Sequence, residues 1–171
     1  TWGKPEVTDV LLTPTTPLDV EQLLALAGSM EKGSEHPLAQ AVVTEAQRRG
    51  LKLKSPIDFH ALPGFGVEGG VDGQKILLGN KRLMVENEID ISSIDNQLVK
   101  LTENGKTPMI LCVDGQVAGL LATTDALKPH AKENILHLKK MGLEVVMLTG
   151  DNSKTAQAVA GQLGIDRVVA E

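Results

Sequence analysis

Apolar and polar residues follow changing periods along the chain, and those changes divide it. Residues 1–17 are rich in Thr and Pro, with a β-type run from Glu6 to Leu12, and read as an extended lead-in. Asp19 then stands where a helix N-cap would stand, ahead of Val20, Leu23, Leu24, Leu26 and Ala27 at helical spacing, and Gly33 closes that helix. A second helix is predicted from Pro37, burying Leu38, Ala41, Val42 and Ala46 and stopping at Gly50. From Ile57 the period shortens to that of strands. The runs 57–62, 66–71 and 75–78, broken by Pro63-Gly64 and by the hairpin signal Asp72-Gly73, predict an antiparallel meander. Helices are expected over 81–88 and 93–104, then a hairpin of 109–113 and 117–122 around Asp114-Gly115. Beyond Asp125 the rhythm becomes helix (130–141), strand (145–148), helix (153–163), strand (167–170), which is that of a doubly wound α/β sheet. The continuous apolar run Val145 to Leu148 reads as a strand covered on both faces. The fold class is therefore α+β: an antiparallel sheet flanked by helices over roughly 11–124, followed by an incomplete α/β portion. No internal repeat interrupts this order.

Composition narrows the possible functions. The chain has 171 residues, 42% of them apolar, with 17 basic against 22 acidic side chains and a net charge of −5. A nucleic-acid surface calls for clustered cations and stacking aromatics, and this chain has one Trp, two Phe and no Tyr. Its longest apolar stretches fall far short of the roughly 20 residues of a membrane helix. The single cysteine, Cys112, precludes an internal disulfide, suits a reducing compartment and reads as a core residue. His60, His130 and His137 have no ligand-like spacing with one another or with Cys112, so no metal site is expected within the chain. The chain starts at Thr1 without a leader pattern and reads as an excised segment.

Three stretches could carry chemistry. Leu148-Thr149-Gly150-Asp151-Asn152 puts a hydroxyl, a flexible amide and a carboxylate at the carboxyl end of a predicted parallel strand and ahead of a helix N-terminus. Open α/β sheets bind ligands at that end, and the helix amides suit a phosphate, although Asp151 or Asn152 could equally be a helix cap. Gly64-Phe65-Gly66-Val67-Glu68-Gly69 matches GxGxxG in form, but a dinucleotide fingerprint needs a strand before it and a helix after it, and a β-meander follows here. What remains is that Gly64 and Gly66 either bring backbone close to a flat ligand or form a turn and a bulge. His36 precedes Pro37 at a predicted helix start, where the positive end of the helix dipole disfavours a cation. There it is either a surface histidine or a group able to make one hydrogen bond to a ligand.

Taken in order, Ser34-Glu35-His36-Pro37-Leu38, Gly64-Phe65-Gly66, Gly79-Asn80, Thr124-Asp125-Ala126-Leu127-Lys128 and Met147-Leu148-Thr149-Gly150-Asp151-Asn152 resemble the heavy-metal class of P-type ATPases over essentially the whole chain. Gly3-Lys4-Pro5-Glu6-Val7 and Gly79-Asn80-Lys81-Arg82-Leu83-Met84 look most like the copper(I) exporters, while zinc and cadmium pumps share most of these motifs. The resemblance implies a leading segment (1–10) from a phosphorylation domain of haloacid-dehalogenase type, a nucleotide-binding domain (11–124) and part of the phosphorylation domain (125–171). It implies ATP as ligand: His36 orients the adenine, Glu31 reads its amino group, Gly64 and Gly66 let backbone approach, Val67 is an apolar wall and Asn80 lines the pocket. Thr149, Gly150 and Asp151 match the motif that approaches the transferred phosphoryl group, and Asp125 with Lys128 matches a hinge motif. The family's phosphorylated Asp lies in a DKTGT motif and its magnesium is held partly by a GDGxND motif. Neither occurs in these 171 residues, so ATP binding without a phosphoenzyme is expected, with the magnesium site mostly outside the chain. The partners implied are the remaining phosphorylation, actuator and membrane domains of one pump, with this piece a monomeric cytoplasmic portion of a cell-membrane protein. A haloacid-dehalogenase-like phosphatase, or a non-catalytic nucleotide-binding or interaction module, is the rival expectation.

Overall fold

The computed structural model describes residues 4–125, 127–149 and 153–170. Eight strands and six helices follow in the order β1 (Pro5–Leu12), α1 (Val20–Glu31), α2 (Pro37–Arg48), β2 (Ile57–Leu62), β3 (Gly66–Val71), β4 (Gln74–Gly79), α3 (Lys81–Glu86), α4 (Asp95–Glu103), β5 (Thr107–Val113), β6 (Gln116–Asp125), α5 (Ala131–Lys140), β7 (Val146–Thr149), α6 (Ser153–Leu163) and β8 (Arg167–Ala170), with a 3₁₀ turn at Ser92–Ile94. β1 to β6 form one antiparallel sheet in the order β1-β6-β5-β4-β3-β2, and β7 and β8 form a separate parallel pair.

The predicted meander is the β2-β3-β4 half of the six-stranded sheet. The β3–β4 turn at Asp72 and Gly73 and the β5–β6 turn at Asp114 and Gly115 close as the sequence reads, with all four residues at positive φ. The Gly64–Gly69 stretch is loop and strand, as expected of a sequence that is not a dinucleotide fingerprint. The lead-in is more than extended chain. β1 pairs with β6 from Pro5↔Asp125 to Leu12↔Gly119, so both strands run across the positions 10/11 and 124/125.

Two cores lie on opposite faces of the sheet. α1 and α2 cover one, where Leu23, Leu24, Met30 and Val42 meet Ile76, Leu78, Leu111 and Leu121; α3 and α4 cover the other, where Leu83, Met84 and Leu98 meet Leu77, Ile110, Cys112 and Leu120. Alternate residues of β4 and β5 therefore enter different cores, which is why these strands read as unbroken apolar runs although they are antiparallel. Such a run reports coverage of both faces, whatever the strand direction. Asp19 caps α1 through a capping box with Gln22. α3 stops two residues before its expected end, because Asn87 turns its amide back to the Leu83 carbonyl and Glu88 takes φ 56°.

The expectation that Val145 to Leu148 is doubly covered fails. β7 is parallel to β8, with α6 as the crossover, but Leu148 is 81% exposed, and Leu136, Met141, Leu143, Val146 and Val169 are also open to solvent. α6 packs Ala156 and Ala160 inward, and its neighbours are β7, β8, α5 and α4. The apolar pattern of a covered strand is present while much of the cover is missing from the described residues.

Candidate functional site

A cavity of about 380 Å³ opens where the C-terminal end of α1, the α1–α2 loop, the β2–β3 loop and the adjoining ends of β3, β4 and β5 converge. That volume suits a small organic ligand. Glu31, His36, Gly64, Gly66, Val67 and Asn80, drawn from four separate stretches of sequence, all line it. Ser34, Phe65, Leu78, Gly79 and Met109 are among its other lining residues, and β5's share was invisible to motif reading because Met109 carries no chemical signal. A larger groove between β1 and α2, about 760 Å³, mixes Lys4, Glu6, Glu35 and Arg48 and holds none of the six.

Each polar group arrives by a local cause. Glu31 is the last residue of α1 and only 7% exposed; burial pushes its carboxyl above the ordinary value, partly opposed by the Ser34 hydroxyl that hydrogen-bonds it. His36 is the N-cap of α2: its Nδ1 accepts the Leu38 N–H at 3.2 Å, next to Pro37, which has no N–H to offer. With that lone pair engaged, the proton of the neutral ring sits on Nε2. The cavity therefore contains a buried carboxylate able to accept and an imidazole whose remaining nitrogen donates. Among the described residues that line it, Glu31 and His36 are the only ionisable ones.

The glycines are explained by close approach. Gly66, at φ +150°, pairs with Gly79 across β3 and β4, and a Cβ on Gly66 would lie 2.2 Å from the Leu78 carbonyl oxygen. A Cβ on Gly79 would meet the Phe65 carbonyl oxygen at the same 2.2 Å. Gly64, at φ +78°, has nothing within 4 Å of where its Cβ would be. The Gly64 backbone thus borders open space, whereas Gly66 fastens the loop to β4.

Asn80 lines the cavity with both ends of its amide already engaged, since Oδ1 accepts from Leu83 N at 3.1 Å and Nδ2 donates to the Gly64 carbonyl at 2.8 Å. Arg82 places its guanidinium 4.9 Å from the centre of the Phe65 ring. Sequence reading missed that contact, for which the signal is a cation two residues beyond the cap. Thr149 ends β7 in the other sheet and does not line the cavity; Gly150, Asp151 and Asn152 lie outside the described residues. Asp125 ends β6 and Lys128 lies in the following loop, both exposed.

Among the described residues no group of three or more His, Cys, Asp or Glu side chains could hold a metal ion. No described helix is long and apolar enough to cross a membrane.

The haloacid dehalogenase-like hydrolase model matches residues 1–171. A copper-exporting P-type ATPase of Staphylococcus aureus (strain bovine RF122 / ET3-1) is 44% identical over 172 residues, covering 100% of this chain and 21% of that protein. Copper-transporting ATPase 1 of Rhizobium meliloti (strain 1021) is 41% identical over 171 residues, again 100% of this chain and 20% of the other. The chain thus spans about a fifth of the length of the curated relatives it matches. Among solved structures, a zinc-transporting ATPase of the same heavy-metal class superposes with a TM-score of 0.87 at 33% identity, over 98% of this chain and 26% of that one. The two-sheet architecture and full-length similarity agree: the chain belongs to the haloacid dehalogenase-like hydrolase family, as a homologue of one segment of the heavy-metal P-type ATPases.

Proposed function

We propose that this chain is the ATP-binding portion of a copper(I)-exporting P-type ATPase, with residues 11–124 as the nucleotide-binding domain and 125–171 as part of the phosphorylation domain. The observation that carries the reading is the convergence of Glu31, His36, Gly64, Gly66 and Val67 on one cavity, with an acceptor and a donor suited to the edge of a purine. Adenine enters with its amino group toward the Glu31 carboxylate and a ring nitrogen toward His36 Nε2–H. The face of the base lies along the Val67 wall and the Gly64 backbone, which carries no side chain to obstruct it. Phe65 is the one aromatic among the described residues that line the cavity, so hydrogen bonds and bare backbone do much of the holding. The triphosphate extends out of the cavity, and Thr149, Gly150 and Asp151 take the role of approaching the γ-phosphoryl group when the two portions close. Magnesium, bound with the nucleotide, neutralises phosphate charge; its protein ligands belong mostly to other parts of the pump. In the whole protein the phosphoryl group passes to the Asp of a DKTGT motif and closure drives export of the metal, with this portion on the cytoplasmic side. The 171 residues hold no DKTGT sequence, so the chain alone binds ATP without turning it over.

Calorimetric titration with ATP, ADP and AMP tests the reading, on the native chain and on His36→Gln and His36→Asn. All three nucleotides bind the native chain, since the adenine is common to them, and both variants bind more weakly. His36→Asn keeps an N-cap residue and so keeps the stability of α2, which separates loss of the ligand's donor from loss of the cap. Unchanged affinity in both variants overturns the adenine assignment, and phosphate release from a generic phosphate ester supports a phosphatase instead. Zinc is the second reading for the cargo, favoured by the zinc-transporting structure that superposes over 98% of the chain. ATP hydrolysis by the full-length pump in vesicles, stimulated by copper(I) or by zinc, decides between the two.

A further inference from the structure

We propose that Asn80 and Arg82 are positioning residues for the nucleotide, acting through the backbone of Gly64-Phe65-Gly66 rather than by touching the ligand. The inference rests on the reading that the cavity takes adenine. A segment with glycine on both sides of one residue, both glycines at positive φ, has many conformations open to it unless something external holds it.

Three groups at the start of α3 supply that hold. The Asn80 N–H donates to the Phe65 carbonyl at 2.9 Å, the Asn80 Nδ2 donates to the Gly64 carbonyl at 2.8 Å, and the Arg82 guanidinium lies over the Phe65 ring at 4.9 Å. The other face of the loop is pinned by Gly66 against Gly79 and by Phe65 packing into the core beneath α3 and α4. Asn80 can orient its amide in only one way here, because its Oδ1 caps α3 through Leu83 N while its Nδ2 faces the Gly64 carbonyl. With both ends so occupied, the residue acts on the ligand indirectly. Holding the loop before the ligand arrives removes an ordering cost from binding, and that gain appears as affinity.

The test uses adenosine and AMP binding to the 171-residue chain, with amide hydrogen exchange at residues 64–67 measured without ligand. Asn80→Ser keeps a good N-cap and introduces no charge, but its hydroxyl is too short to reach Gly64. Arg82→Met removes the cation over Phe65, and Arg82→Lys retains one. The expected result is an affinity about tenfold lower in Asn80→Ser and clearly lower in Arg82→Met. Both variants show faster exchange at residues 64–67 and an unchanged melting temperature, and Arg82→Lys recovers most of the loss. Weaker binding with exchange unaltered means that Asn80 contacts the ligand directly, and it overturns the proposal. So does native affinity in Asn80→Ser or Arg82→Met. If the native chain binds no adenine compound, the functional reading fails; exchange in the unliganded variants then judges the clamp alone, faster exchange supporting it and native exchange overturning it.

Discussion

Adding one methyl group at Gly66 and, separately, at Gly64 separates the two uses of glycine in the cavity loop. At Gly66 the new Cβ would lie 2.2 Å from the Leu78 carbonyl oxygen, 2.5 Å from Gly79 Cα and 3.0 Å from the Leu78 carbonyl carbon. All three are backbone atoms of a neighbouring strand and cannot swing aside. An L-residue at φ +150° adds conformational strain on the order of 1–3 kcal/mol, and forced overpacking adds a similar amount, so Gly66→Ala should destabilise by about 4 kcal/mol. At Gly64 the methyl meets nothing within 4 Å and only the left-handed backbone is penalised, by about 1–2 kcal/mol. For a chain of this size each kcal/mol moves the melting temperature by about 2–4 °C, so thermal melts followed by circular dichroism should fall by about 8–16 °C for Gly66→Ala and by about 2–8 °C for Gly64→Ala. The order reverses when binding is compared at a temperature where both variants are folded. Gly64→Ala projects its methyl into the open space that the ligand needs, and it loses more affinity than its small stability change accounts for. A Gly66→Ala protein that melts with the native one, or two variants that lose equally, refutes the close approach between β3 and β4.

Three further outcomes follow from charge and burial. Glu31→Gln should raise the melting temperature at neutral pH while weakening nucleotide binding: burial lifts the Glu31 pKa above 4.5, so the ionised group costs stability as pH rises through the raised value, and the difference from the native chain vanishes below about pH 4.5. Glu45 behaves oppositely. Hydrogen bonds from Arg48 and then Arg49 hold its pKa down to about 2, so the stability it contributes is fully present above about pH 4.5 and lost as pH falls toward 2; Glu45→Gln should flatten that part of an acid-denaturation curve. Leu148→Ser should change the melting temperature of this chain by no more than about 1–2 °C, since Leu148 is 81% exposed, and amides of 131–170 should exchange faster than those of β4 to β6. A large loss from Leu148→Ser would mean that β7 is already covered.

Much of the molecule was legible because its signals are local. Asp19, Gly73, Gly115 and the change from helical to strand period mark α1, two hairpins and the meander using information confined to a few residues. What escaped depends on sheet order. Nothing in Glu6 to Leu12 says that it pairs with a strand more than a hundred residues away, so β1 looked like lead-in chain. The apolar run at Val145 to Leu148 recorded how that strand would be covered, and the described residues leave Leu148 and Val146 open. At the site, residue types named the lining, yet not how it is held. His36 was readable as a helix start, but its Nδ1 bond to Leu38 fixes where the ring proton sits, and that is geometry. The Asn80 bond to Gly64 and the Arg82 contact with Phe65 join residues 16 or more positions apart that no motif links.

The pairing of β1 with β6 also has a mechanical consequence. Pro5 and Asp125 face each other at one end of an antiparallel ribbon, so the chain enters and leaves this body at neighbouring points, about 5 Å apart. A force drawing those two points apart loads the ribbon's hydrogen bonds one pair after another, as in a zipper, rather than all at once in shear. The joint is weak in tension and resists sliding along the strands. Bending at that narrow attachment moves the cavity as a unit, while the sheet behind it keeps its register.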